Sequence, residues 1–268
     1  MSFEKNFPKW WQTIKISWSN YTAYRMNFFL QIIGPALVFF FVKYNLWSSI
    51  YDGDAHMTIK GYNLDQMITY HIWSMIVGLV AQGMSALNLA EDIRMGRISS
   101  YLIYPIDFWE YHTAGFIAFE TLQLFISALT ITVIAVFGFL PDITFTSLIF
   151  GFTYCVYVSL FWFILQYLTG IIGFWLEETW ILRVILSILT AFLSGAIIPL
   201  ELYPEWLVTL LNYTPFPYLT FYPIKMFMGE IGFFPKGYLM LGAWMVILLF
   251  LNKWIWKKGI RMYTAAGM

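Results

Sequence analysis

Four charged side chains, Glu91, Asp92, Arg94 and Arg97, fall within seven residues of a chain that is otherwise apolar over long stretches. Opposite charges at such short spacing suit ion pairing and the setting of register against a partner rather than bond-breaking chemistry. Ile93, Ile98, Leu102 and Ile103 give the same stretch an interrupted apolar side, the pattern of a short amphipathic piece at a membrane surface. Two readings stay open on these residues: an ordinary cytosolic loop between two spans, or a docking element that receives force from a soluble partner. Other polar groups are scattered through apolar runs. Glu120 with Gln123 one turn on, and His71, Gln82 and Gln166, are candidates to line a pathway, or else make hydrogen bonds between helices. Ser194-Gly195 could supply an intramembrane nucleophile, with no histidine evidently at its depth and His71 the one left to weigh. Together with Ser187 and Ala191 it far more often makes a small-residue surface for helix packing. No Gly-x-x-x-x-Gly-Lys-Ser/Thr stretch occurs, so nothing cradles a nucleotide phosphate. His56, His71 and His112 lack the His-Glu-x-x-His spacing of a zinc site.

These groups must be positioned by membrane-length helices. The chain is 60% hydrophobic and 11% charged, with a mean hydropathy of +0.69; a soluble domain carries about 25% charged residues. The net charge of zero gives no pointer to nucleic acid, and the single Cys155 excludes an intrachain disulfide. The first 27 residues lack the central apolar region of a cleavable signal peptide. Residues 7–24 read as an interfacial helix: Pro8 suits its first turn, and Phe7, Trp11, Ile14, Trp18 and Tyr21 share one face. Six runs then approach or exceed the about 20 residues a span needs, at 26–48, 66–89, 109–139, 147–176, 180–199 and 236–256. The expected fold class is an all-α membrane protein of six transmembrane helices. Segment 200–235 is apolar but broken by Pro204, Pro215, Pro217, Pro223 and Pro235, which fits re-entrant or interfacial short helices before the last span.

Lysine and arginine set the orientation. With the N-terminus cytosolic, eleven of them fall in inner segments and at most four, Lys43, Lys60, Lys225 and Lys236, in outer ones. Both termini and the charged stretch are then cytosolic.

The arrangement resembles the permease subunits of ABC type-2 transporters along the whole chain. Three motifs carry the likeness. They are Asn88-x-x-x-Asp92-Ile93-Arg94-x-Gly96-x-Ile98 leading to Leu102-x-x-Pro105; Pro215-Phe-Pro-Tyr218 with Tyr222-Pro223 and Met228-Gly229; and Arg261-Met-Tyr263-x-Ala265-x-Gly267, where the family's usual basic run is thinner. The resemblance implies one permease domain over 1–268, with the interfacial helix at 7–24, a coupling stretch at 90–107 and an outer re-entrant segment at 200–235. Carried over, Glu91, Asp92, Arg94, Gly96 and Arg97 would meet an ATPase groove, with Ile93 and Ile98 as its apolar anchor. Glu177 and Glu178 would make a second, smaller contact, and Pro215, Pro217, Tyr218 and Pro223 an outer lid. ATP and Mg would reside in separate ATP-binding cassette subunits, this chain binding no cofactor or metal and performing no covalent chemistry. A second permease, identical or a non-identical sister, would complete the pathway. The setting would be lipid, in a bacterial inner membrane, and the cargo an exported amphipathic or lipid-linked molecule. Rival readings are a secondary transporter driven by an ion gradient through Glu120 and His71, and an intramembrane hydrolase using Ser194.

Overall fold

The computed structural model describes residues 3–23, 25–52, 57–81, 89–103, 105–136, 138, 140–176 and 178–263. Helix dominates the described residues, and no strand forms among them. Helix α1 (Phe3–Ala23) leads into α2 (Arg25–Ile50), then α3 (Leu64–Ala81), the short α4 (Leu89–Arg94) and α5 (Ile98–Leu102), and the long α6 (Phe108–Val136) and α7 (Phe145–Ile171). After a 3₁₀ turn at Ile172–Phe174 come α8 (Trp180–Leu193), a 3₁₀ turn at Leu200–Leu202, three short helices α9 (Glu205–Leu211), α10 (Phe216–Leu219) and α11 (Phe221–Phe227), and finally α12 (Pro235–Met262).

The helix starts follow local chemistry. Before α3, the Asn63 side chain accepts from the Gln66 amide at 2.8 Å while the Gln66 side chain accepts from the Asn63 amide at 3.1 Å, a reciprocal capping box. The Thr144 hydroxyl caps α7 by accepting from the Ser147 amide, and Pro235 opens α12 where a missing N–H costs nothing.

Among the described residues three helices are long and apolar enough to cross a membrane: Phe108–Val136, Phe145–Phe174 and Pro235–Met262. The first expected run is one helix, α2, and the second is helical to Ala81, residues 82–88 of it lying outside the described residues. The fifth run is shorter than expected. Helix α8 stops at Leu193 rather than Pro199, because Gly195 takes a left-handed φ of +82°. The carbonyls freed there are accepted into the fold. Ser194 O receives the Phe221 amide at 3.0 Å, Gly195 O the Tyr70 hydroxyl at 2.7 Å, and Ala196 O the Lys43 ammonium and the Ser74 hydroxyl. Helix α1 also differs from expectation. It begins at Phe3, so Pro8 lies in its second turn, and it runs along the first half of α6. The Trp18 indole N–H donates to Ala118 O and the Thr121 hydroxyl, both at 2.9 Å, and Tyr21 meets Phe119 edge-on.

The core joins α3, α7, α11 and α12. Trp73 is fully buried and stacks on Phe227 at 4.8 Å. Phe227 in turn fills the space over Gly151, where a Cβ would lie 2.5 Å from its ring.

Candidate functional site

Two polar clusters sit toward the two ends of α7. Phe227 marks one end at Gly151, and Leu89 marks the other at Gly170; nineteen residues of helix separate these glycines by about 28 Å.

At the Gly170 end, α4 lies against the chain with almost no gap. A Cβ on Gly170 would be 2.8 Å from the Leu89 side chain, and one on Gly173 would be 2.9 Å from the Ala90 Cα. Leu89, Ala90, Ile93 and Ile98 are buried in this contact, so the charged stretch is backed by the helical body. The chain reverses at Gly96, whose φ of +72° strains any residue with a Cβ. That reversal brings Arg97 back onto α4: its Nη2 meets Glu91 Oε1 at 2.9 Å and its Nε meets Asp92 Oδ1 at 2.8 Å. Burial pushes the Asp92 carboxyl above its ordinary value despite the Arg97 guanidinium beside it. Arg94 reaches away to Glu178 at 3.0 Å, both side chains about half exposed at 46% and 56%. Glu91, Asp92, Ile93, Arg94, Gly96, Arg97 and Glu178 are thus gathered at one place; Glu177 lies outside the described residues.

One expectation is corrected here. Ile93 and Ile98 are buried within this chain and present no apolar anchor outward. Among the described side chains of this stretch, Met95 projects, 57% exposed on the turn, and so does Ile103, 82% exposed after α5. The stretch is two short helices around a tight turn, so a single helical period across it assigns the wrong faces.

The polar groups expected to line a pathway do not form one site. Glu120 and Gln123 are buried on one face of α6, the Gln123 amide donating to Leu79 O on α3. Ser159 on α7, which faces Glu120, gives its own proton to Val156 O. His71 lies eight residues before Leu79 on α3, about 12 Å along the axis, packed against Trp47 and Tyr70. Gln166 is half-buried on α7, and Gln82 lies outside the described residues. No hydrogen bond joins Ser194 to His71: the hydroxyl and both ring nitrogens are buried without partners, so the nucleophile–base pair is not assembled. Among the described residues no group of His, Cys, Asp and Glu is arranged to hold a metal ion.

At the Gly151 end stands a cluster that the sequence reading passed over. Lys225 on α11 is buried and bonds the Tyr62 hydroxyl, Glu230 at 2.6 Å and Glu201 at 3.0 Å. Its ammonium also lies 4.7 Å from the Tyr62 ring centroid. Burial acts to lower the lysine, but the hydrogen bonds to Glu230, Tyr62 and Glu201 outweigh it and hold the ammonium above its ordinary value. The available signal was a lone lysine inside the apolar run Pro223-Ile-Lys-Met-Phe227, which calls for a distant acid. Nearby, Pro215 opens α10, and Pro217, Tyr218 and Pro223 are buried. The Tyr218 hydroxyl donates to Asn212 O at 2.9 Å, and Tyr218 stacks on Tyr222 at 5.0 Å. An open cavity of about 580 Å³ lies beside them, with Glu201 and Glu205 at its rim and Tyr203, Phe221 and Tyr222 in its wall.

A family model described as "ABC-2 family transporter protein" matches residues 37–267. No curated protein and no solved structure matches the chain.

Proposed function

Since the chain belongs to the ABC-2 family of transporter membrane proteins, we propose that this ABC transporter permease is an exporter subunit for an amphipathic or lipid-linked cargo, driven by separate ATP-binding cassette ATPases. In this reading ATP and Mg stay in the ATPase subunits. Two permeases, identical or sisters, form the pathway in a bacterial inner membrane. Six spans place both termini in the cytosol, α1 serves as the inner-surface helix, and segment 200–235 forms the outer re-entrant lid.

The observation that carries the proposal is the knuckle at 89–103: two exposed apolar prongs, Met95 and Ile103, ringed by the pairs Arg94–Glu178 and Arg97–Glu91 on a buried base. A partner surface needs an apolar centre and a charged rim that fixes register. The knuckle also lies beside the start of α1, where the Lys9 ammonium donates to Pro105 O at 2.7 Å, and beside the end of α12 at Tyr263. The segments assigned to the cytosol therefore share one end of the bundle. ATPase closure would press on this knuckle and bias an inward–outward equilibrium.

Affinity purification of the tagged chain in mild detergent, with mass spectrometry of what co-elutes, tests the proposal. An ATP-binding cassette ATPase is expected in near-equal amount. Transport by the purified chain alone in liposomes, unaided by ATP, would overturn it.

A further inference from the structure

Resting on the ATP-driven reading above, we infer that Tyr263 is a positioning residue that makes the α4–α5 turn and the inner end of α12 move as one body. Its phenol lies just past the last turn of α12 and donates to Gly96 O at 2.8 Å. The Ser99 hydroxyl is 3.1 Å from the phenol oxygen of Tyr263. A phenol has one proton, and it is committed to Gly96, so Ser99 is the donor in the second bond. The ring meets Phe174 edge-on at 6.2 Å. Phe174 itself covers Gly259 of α12, where a Cβ would lie 2.2 Å from it, and packs on Trp256. One side chain thus ties three things together: the tip of the knuckle, the 3₁₀ turn leading to Glu178, and the last helix.

The bond to Gly96 falls at the turn between α4 and α5, where the Gly96 carbonyl also accepts from the Ser99 amide at 3.3 Å. Gly96 sits at φ +72° between two helices of six and five residues. A push on Met95 or Ile103 therefore reaches α12 through Tyr263, besides travelling along the chain into α3 and α6. The sequence placed Tyr263 only within a C-terminal motif; its partner lies 167 residues away.

The test uses the permease–ATPase complex in nanodiscs, with Cys155 replaced by alanine. Spin labels at Asp142→Cys and Lys236→Cys, both exposed, the first beyond the far end of α6 and the second in the opening turn of α12, report how α12 moves when Mg-ATP and vanadate are added. Tyr263→Phe keeps the ring on Phe174 and removes both hydrogen bonds. It is expected to bind the ATPase and to half-saturate with ATP as the unmodified chain does, while maximal ATPase rate falls roughly two- to ten-fold, the range one or two neutral hydrogen bonds support, and the Lys236 label no longer shifts. A packing role alone would leave Tyr263→Phe unchanged in rate and shift, and that result overturns the proposal. A second variant guards against misfolding: Ser99→Cys with Tyr263→Cys, joined by a short bismaleimide, is expected to retain the shift. Loss of the shift on cross-linking would mean that the two segments must separate, which also overturns it. If the parent complex itself shows no ATPase association, the functional reading has failed first, and the two failures are thereby distinguished.

Discussion

The same residue types build two clusters with opposite physical characters. At the knuckle, Arg94 and Arg97 are about half exposed and their carboxylates largely solvated, apart from Asp92. At the other end, the Lys225 side chain is 7% exposed and draws two carboxylates and a phenol around one ammonium. Exposed pairs contribute 0–1 kcal/mol each and rearrange cheaply, which suits a surface that must exchange partners. A buried ammonium robbed of its acids, or acids robbed of their ammonium, is far more costly. The Lys225 cluster therefore fastens the 57–62 loop, the 3₁₀ turn at Leu200–Leu202 and α11 to one another, while the knuckle's charges fix register.

The largest effect should come from breaking the buried cluster. Lys225→Ala leaves Glu201 and Glu230 facing each other, at a cost of about 3 kcal/mol, the low end of the buried-pair range because both acids keep some solvent. Thermal unfolding in detergent should show a clear fall in midpoint, and adding Glu201→Gln and Glu230→Gln should restore most of it. The raised Lys225 pKa gives a sign as well. Its contribution is complete below the ordinary lysine value of 10.5 and is lost as pH rises through the higher folded value; a midpoint that already falls between pH 7 and 9 because of Lys225 would contradict the geometry. Next in size is Gly96→Ala, which forces a Cβ into the left-handed region at about 1–2 kcal/mol and should lower the midpoint modestly. Asp92 comes after. Its folded carboxyl lies above the ordinary 3.8, so the native state holds the extra proton and stability falls as pH rises through the carboxylate range. Asp92→Asn should flatten that slope in pH-dependent unfolding. The smallest effect on stability belongs to Arg94→Ala or Glu178→Ala, under 1 kcal/mol. Either should leave the unfolding midpoint in place while weakening co-purification of the ATPase. A midpoint shift as large as that of Lys225→Ala would erase the distinction between the two ends.

Apolar length made most of the architecture legible: the runs at 26–48, 109–139, 147–176 and 236–256 became α2, α6, α7 with its 3₁₀ turn, and α12 within a few residues. Where the structure departs from that reading, left-handed glycines and contacts distant in sequence decide it. Helix α8 stops at Leu193, and the carbonyls of Gly195 and Ala196 beyond it accept from Tyr70, Ser74 and Lys43, a stop no local breaker announced as strongly as Pro199 did. The knuckle's charges were legible because four of them interrupt a greasy chain. Its apolar faces were not, since the turn at Gly96 resets the helical phase between Ile93 and Ile98 and sends Met95 outward instead. Lys225 and Tyr263 bond residues 163 and 167 positions away, and nothing in their neighbourhoods names those partners.

The central claim is that the Met95–Ile103 face, and not the opposite end, receives the ATPase. It is tested most directly by photocrosslinking in membranes, with a photoreactive residue placed in turn at Met95, Ile103 and the exposed Glu205. The account predicts adducts with an ATP-binding cassette ATPase from Met95 and Ile103 and none from Glu205. Adducts from Glu205, or their absence from both knuckle positions in a complex that hydrolyses ATP, would contradict it.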